Sequence, residues 1–369
     1  MKKIFLYMFL MVLILSIISS FSLIGCKTKV AETTKAAETT KAAETTKAAE
    51  TTKAAETTAA AKKFTVGYDI YWEGNSWSLQ MAEEFKWGIE SKYKDVVEKA
   101  YYTSSNGDIA KNVSNFEDLV AKKCDIIFIT PLTPDNLTSQ VDAAMAEGIK
   151  VVIFGAGYAG KNYTAYVNAD DFAKGKTSAE WLVKTLNGKG DIVMINGIAG
   201  NQAAIDSNNG ALSVFDKEPG IKVLDIGYSD WDPGKTKTIT QDFLQAYPDL
   251  DGIWLFNEPR SSTEVFLEMG LPFVPINWEA ENGALRLWKE NINKGLVAEA
   301  CSKPQYLSAI ALDVGMAALT GKTFEKDTII PNPIDTAADL DKIIKPDLSD
   351  KVWVHTTIPD EKLKEIFPK

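Results

Sequence analysis

Phe116-Glu-Asp-Leu-Val-Ala-Lys-Lys-Cys-Asp-Ile-Ile-Phe-Ile-Thr-Pro131 is the stretch on which the fold turns. Its first part completes a helix expected over residues 109–121. Asp125 to Ile129 then reads as a buried strand, because a short apolar run closed by Pro131 and Pro134 has no solvent-facing alternation. Working outward, Val97 to Tyr102 reads as a strand and Leu137 to Glu147 as a helix stopped by Gly148. Val151 to Phe154 is the next strand. Further back, Phe64 to Tyr68 is a strand. Leu79 to Tyr93 is a helix with Met81, Phe85 and Ile89 on one face. Strand–helix–strand repetition of this kind implies a parallel sheet with helices on both faces.

A second run follows. Helices are expected over 173–186, 202–215, 236–246, 261–267 and 283–293. Strands are expected over 191–196, 222–228, 252–256 and 273–276. Two consecutive open α/β sheets predict two lobes with a cleft between them, and ligands of such sheets sit at the carboxyl ends of the strands. The body from residue 64 onward exceeds the size at which one core stops growing, which also favours two lobes.

The first 63 residues stand apart. Lys2 and Lys3 precede an uncharged apolar run from Ile4 to Ile24, followed by Gly25 and Cys26. A basic start, an apolar stretch and a small residue describe a secretory signal over 1–25. Such a run is also long enough to span a bilayer. The ending Leu23-Ile24-Gly25-Cys26 resembles the bacterial lipobox, which implies that Cys26 is diacylated and becomes the mature N-terminus. From Ala31 the unit Ala-Glu-Thr-Thr-Lys-Ala recurs every six residues, with no large apolar side chain to offset the entropy of ordering it. Residues 26–63 therefore read as a lipidated Cys and a solvated tether.

Charge narrows the function. The chain carries 40 basic and 50 acidic residues, a formal charge of −10. Residues 1–63 hold ten Lys and five Glu, so the remainder carries −15. Arg260 and Arg286 are the only arginines. Nucleic acid needs a clustered basic surface with Arg forks, which this chain lacks. An uncharged or cationic small ligand fits these numbers better. His355 is the single histidine, within what reads as a strand, and this excludes two-His metal sites. No metal, cofactor or catalytic group is expected. Asp335 to Asp341 is rich in carboxylates but lacks the calcium-loop pattern and reads as a helix start. Cys124 reads as a packed thiol; a disulfide with Cys301 stays open but would oppose hinge motion.

The order and spacing of several segments resemble the type I periplasmic sugar-binding proteins, the ribose and galactose receptors of ABC importers. They are Phe116 to Pro131, Val141-Asp-Ala-Ala-Met-Ala-Glu-Gly-Ile-Lys-Val-Val152, Tyr166-Val-Asn-Ala-Asp170 with Lys174-Gly175, Gly197-Ile-Ala-Gly200 and Tyr247-Pro-Asp-Leu-Asp-Gly252. The resemblance spans residues 64–369. It implies an α/β fold of two Rossmann-like lobes with parallel sheets, joined by a three-strand hinge. The N-terminal lobe would hold 64–166 plus about 303–329, the C-terminal lobe 167–302 plus about 330–369. The resemblance further implies a monomeric, non-enzymatic receptor on the extracellular face of a Gram-positive type of membrane. It would hand a carbohydrate or polyol to a permease driven by an ATPase.

Mapped by position, the loop after the first strand offers Tyr71, Trp72, Asn75 and Trp77, with Asn75 for hydroxyls and the indoles for stacking. Asp206 falls at a helix start facing the cleft. Trp231 falls at the aromatic plate and Asn257 at a hydroxyl-binding Asn. Asn277 falls where the family has Asp, and Ser302 where some members have Gln. There is a departure: after the strand 151–154 many sugar receptors carry an Asp-Arg clamp, and here Gly155 and Ala156 stand instead. The Arg common after Gly200 is also missing, with Ser207 nearest. An aromatic, Arg-free cleft points away from ribose or galactose, towards a polyol, a deoxy-sugar, an oligosaccharide end or a nucleoside. Other classes stay open at this stage: a chemosensory or quorum-signal receptor, and a surface glycosidase using two carboxylates.

Overall fold

The computed structural model describes residues 62–256 and 258–369. The leader, Cys26, the repeat through residue 61, and Asn257 lie outside the described residues. None of the described helices is long and apolar enough to cross a membrane.

The chain begins with β1 (Phe64–Ile70), α1 (Ser76–Gly88) running into a π-helical turn at Ile89–Tyr93, and β2 (Val97–Ser104). Next come α2 (Ile109–Ala121), β3 (Ile126–Ile129), α3 (Thr138–Ala146), β4 (Lys150–Phe154) and β5 (Ala165–Ala169). The second run is α4 (Asp171–Thr185), β6 (Gly190–Asn196), α5 (Gln202–Phe215), β7 (Ile221–Tyr228), α6 (Pro233–Ala246), β8 (Gly252–Leu255), α7 (Pro259–Met269) and α8 (Asn282–Asn291). The chain closes with β9 (Ala300–Cys301), α9 (Leu307–Leu319), β10 (Asp327–Ile330), β11 (Ile334–Asp335), α10 (Leu340–Ile343) and α11 (Asp360–Ile366).

Two parallel sheets result. One has six strands in the order β10-β5-β4-β3-β1-β2, the other three in the order β7-β6-β8. The chain passes between the two halves after β5, at β9, and after β10, so three crossovers join them. β9 and β11 pair antiparallel across two of these crossovers.

The alternation of strand side chains fills both faces of each sheet. Ile126 and Phe128 of β3 join Tyr68, Phe85 and Phe154 against α1 and α9. The Phe85 ring sits 4.6 Å from Tyr68 and 4.8 Å from Phe128. Ile127 and Ile129 face the other way, onto Phe116 and Leu119 of α2 and Val141 of α3. In the smaller sheet, Val193 and Ile195 of β6 meet Phe243 and Val265, while Ile192 and Met194 meet Ala179, Leu182 and Ala211. Each fully buried side chain of this size contributes about 1.5–3 kcal/mol of transfer free energy. The helices start where short polar side chains cap them: Asn75, Asp108, Asp170, Asn201 and Asp232 each accept a backbone N–H of the first turn.

Three local expectations are corrected. Residues 273–276 form no strand; only isolated bridges join Ile253 to Ile276 and Trp278 to Ala300. Pro272 and Pro275 have no N–H for a ladder, and the Asn277 side chain supplies what the ladder lacks, accepting from Leu255 N and donating to Leu255 O, both at 2.7 Å. His355 lies in a bend rather than a strand, where its Nε2 is 2.7 Å from Asp335 Oδ2. Asp335 belongs to β11, and the short helix after it starts only at Leu340. Cys124 and Cys301 are both free and buried, and burial pushes each thiol up to about 11.

The last segment crosses back. Leu348, Val352, Ile358, Leu363 and Phe367 pack with Leu79 and Trp87 of α1. Arg286 of α8 holds the same segment by Asp350 at 2.6 Å and the carbonyls of Lys345 and Leu348.

Candidate ligand-binding cleft

The carboxyl ends of the strands of the two sheets converge on one cavity. The loop after β1 is placed by a buried network. Asp69, fully buried at the end of β1, accepts hydrogen bonds from Ser105, Asn112 and Asn115 at 2.7 Å and from Thr103 at 2.8 Å. Burial raises its carboxyl even so. Tyr71 N then donates to Thr130 Oγ1 at 2.6 Å, which ties the loop to the end of β3. These contacts direct Tyr71, Trp72, Asn75 and Trp77 into a space they share with Ser78, Ala203, Trp231, Phe256, Glu279 and Lys303. The atom-free space among them, continuous with solvent, is about 420 Å³.

The walls are aromatic. Trp72, after β1, and Trp231, after β7, lie 6.4 Å apart, one from each lobe. Trp231 stands edge-on to Phe256 at 5.7 Å. Asp230 and Trp231 both adopt left-handed backbone, with φ of 54° and 56°. Two consecutive non-glycine residues there are costly and mark a geometry held by its surroundings. Gly197 makes that placement possible, because a Cβ on it would lie 2.1 Å from the Trp231 indole nitrogen. Trp77 lines the cavity and also packs on the core of the six-stranded half; its Nε1 donates to Lys303 O at 2.9 Å.

The floor is ionic. Lys174 of α4 pairs with Glu279 and sits over the Phe256 ring at 4.1 Å from its centroid. Lys303 pairs with Asp171 at 2.7 Å. All four side chains are nearly inaccessible. Burial pushes both carboxyls up, opposed by the neighbouring ammonium groups. Two cations and two carboxylates leave the floor balanced.

The candidate residues separate accordingly. Tyr71, Trp72, Asn75, Trp77 and Trp231 come together. Asn75 gives its Oδ1 to Ser78 as a helix cap, at 3.0 Å from both Ser78 N and Oγ, which leaves its Nδ2 without a partner among the described residues. Asp206 does not line the cavity; it accepts from Gln202 Nε2 at 2.7 Å. Asn277 and Ser302 are buried off the cavity. The first is spent on Leu255, and the second accepts from Ala280 N at 2.9 Å. Ser207 is fully buried.

Glu279, Lys174, Lys303 and Phe256 were not among the site residues expected from sequence. The signal for Glu279 was a count. The extended segment continues through the bridge at Trp278, so the residue just past its end is Glu279 rather than Asn277. The Arg-free cleft still holds charge, because lysines from positions distant in sequence stand beneath it.

Asn75 also borders a larger groove of about 1090 Å³ at the mouth, with Ser76, Glu258, Arg260 and Glu281. Burial, with Glu281 and Glu279 nearby, pushes the Glu258 carboxyl up to about 8. Burial lifts Glu281 to about 7, opposed by Arg260 and by the hydrogen bond from Ser76. Among the described residues no cluster of His, Cys, Asp and Glu could hold a metal ion.

Two parallel α/β lobes, three crossovers and a cavity between them define a type I periplasmic binding protein. Residues 66–323 match the periplasmic binding protein domain, and the chain belongs to that family. It is 22% identical to the ribose import binding protein of Bacillus subtilis over 277 residues, 74% of this chain and 88% of that protein. It is 30% identical to the D-allose-binding periplasmic protein of Escherichia coli over 185 residues, 47% of this chain and 60% of that one. Among solved structures, an ABC transporter solute binding protein from Thermobispora bispora superposes with a TM-score of 0.74 at 19% identity, covering 82% of this chain and 94% of that one. Another from Bacillus halodurans, with bound myo-inositol, gives 0.69 at 19%, covering 78% and 98%. These relatives are solute-binding proteins, not enzymes.

Proposed function

We propose that the chain is the receptor lipoprotein of an ABC importer, that it captures an uncharged polyhydroxylated ligand between its lobes, and that it presents the closed form to a permease and its ATPase. One observation carries this reading: aromatic side chains from both lobes wall a cavity whose buried charges cancel. Indole faces cover the apolar faces of a sugar or polyol ring, and a neutral floor offers hydrogen bonds without demanding a charged partner. Tyr71, Trp72, Asn75, Trp77, Trp231 and Glu279 are the contacts in this reading, with Asn257 carried over from the family resemblance. A ligand that touches both lobes stabilises the closed geometry by its differential affinity for it. Cys26 carries the lipid, and the repeat sets the receptor outside the membrane.

A thermal-shift screen of monosaccharides, polyols, short glucans and nucleosides on the full chain, followed by calorimetry, tests the reading. A bound ligand raises the midpoint by mass action. Trp231→Ala should weaken that ligand at least tenfold, and unchanged affinity would take Trp231 out of the site. Turnover of a glycoside in place of stoichiometric binding would sink the receptor reading altogether.

A further inference from the structure

Lys303 stands where the chain returns from β9 to α9, is 5% exposed, and lines the cavity. Its contacts reach β4, α4 and the start of α1. The ammonium donates to Gly155 O at 3.0 Å, at the end of β4, and to Asp171 Oδ2 at 2.7 Å, at the first turn of α4. Its own carbonyl holds the Trp77 indole. One residue thus ties two of the three crossovers together and fixes one aromatic wall.

A lysine ammonium carries three donors. Gly155 and Asp171 take two, and the third has no hydrogen-bond partner among the described residues. Asp171 Oδ1 is also buried without a partner among the described residues. Unused hydrogen-bonding capacity on buried charged groups is costly, so it marks a place where an incoming polar group gains. Gly155 is suited to this arrangement: with φ of 71° it takes a left-handed turn that favours glycine, and its carbonyl meets the ammonium.

We propose that Lys303 is a specificity-determining residue of the cleft, donating its third N–H to an oxygen of the bound ligand. This rests on the receptor reading above. Because Asp171 already neutralises the ammonium, the group selected is a neutral hydroxyl or ether oxygen, not an anion. The ligand oxygen also fastens the hinge, since the same ammonium holds both crossovers.

The test uses the full chain with D-ribose, D-allose, xylitol and myo-inositol as probes, measured by calorimetry, and then the deoxy analogues of whichever probe binds wild type best. Lys303→Met, which keeps the stem and removes the donors, should weaken that probe at least tenfold. One deoxy analogue, lacking the matched hydroxyl, should lose as much on wild type and lose nothing further on Lys303→Met. If every analogue keeps the same ratio between wild type and variant, Lys303 only supports the fold and the proposal is overturned. Lys303→Arg keeps the charge opposite Asp171 while moving the donors. It should fold even if Lys303→Met does not, and it should reorder the analogues; an unchanged ranking is equally fatal. If wild type binds none of the four, the analogue series is built instead on whichever ligand the wider screen finds; binding of none in that screen removes the receptor reading and this proposal with it.

Discussion

Asn277 and Glu279 are two residues apart, yet one serves the backbone and the other the cavity. Asn277 gives both ends of its amide to Leu255, in a segment where prolines prevent a regular ladder. Asn277→Ala should therefore cost about 1–3 kcal/mol of stability, because it orphans two buried backbone groups. Chemical denaturation measures this, and sugar affinity should change little beside it. The opposite result, normal stability with lost affinity, would return Asn277 to the ligand. The two arginines make a similar point. Arg286 and Arg260 lie 2.6 and 3.6 Å from the carboxylate oxygens of Asp350, so both are spent on structure. The cleft draws its cations from lysines instead.

At the scale of elements, α1 is clasped by the end of the chain. Gln80, fully buried, exchanges two 2.8 Å hydrogen bonds with the backbone of Trp353. One turn further on, Glu84 accepts from the side chains of Thr356 and Thr357 and from Thr357 N. The Trp353 indole donates to Ser76 at 3.0 Å, and Ser76 to Glu281 at 3.1 Å. Gln80→Leu leaves a buried N–H and C=O unpaired and should destabilise the protein by about 2–4 kcal/mol, read as a shift in the denaturant midpoint. A shift under a few tenths of a kcal/mol would mean that water replaces the amide. The periodicity of α1 exposed its apolar face in the sequence, with Met81, Phe85 and Ile89 at helical spacing. Gln80 and Glu84 carry no such signal, because nothing local reveals that a segment some 270 residues later will cover them.

For the molecule as a whole, pH is the sharpest handle. Glu258 and Glu281 hold their protons up to about 8 and about 7, and burial also raises Asp69, Glu84, Asp171 and Glu279. The unfolded chain releases these protons near pH 4 to 4.5. Between there and the raised values the folded state binds more protons, so stability falls as pH rises. The melting midpoint should be higher at pH 5 than at pH 8, and Glu258→Gln with Glu281→Gln should flatten that slope. A midpoint that rises with pH would contradict the assignment.

The alternating apolar runs and their helix stops were enough to establish two parallel α/β lobes, since strand burial and helix amphipathicity are local patterns. The indoles after β1 and β7 were placed by the resemblance to the sugar receptors, whose ligands sit at the strand ends. The partners that balance the cleft could not be read this way. Lys303 meets Asp171 and Gly155, and Lys174 meets Glu279, across separations of more than a hundred residues. Only the tertiary structure joins them, because the cost of burying a charge is met by whichever opposite charge the fold brings beside it.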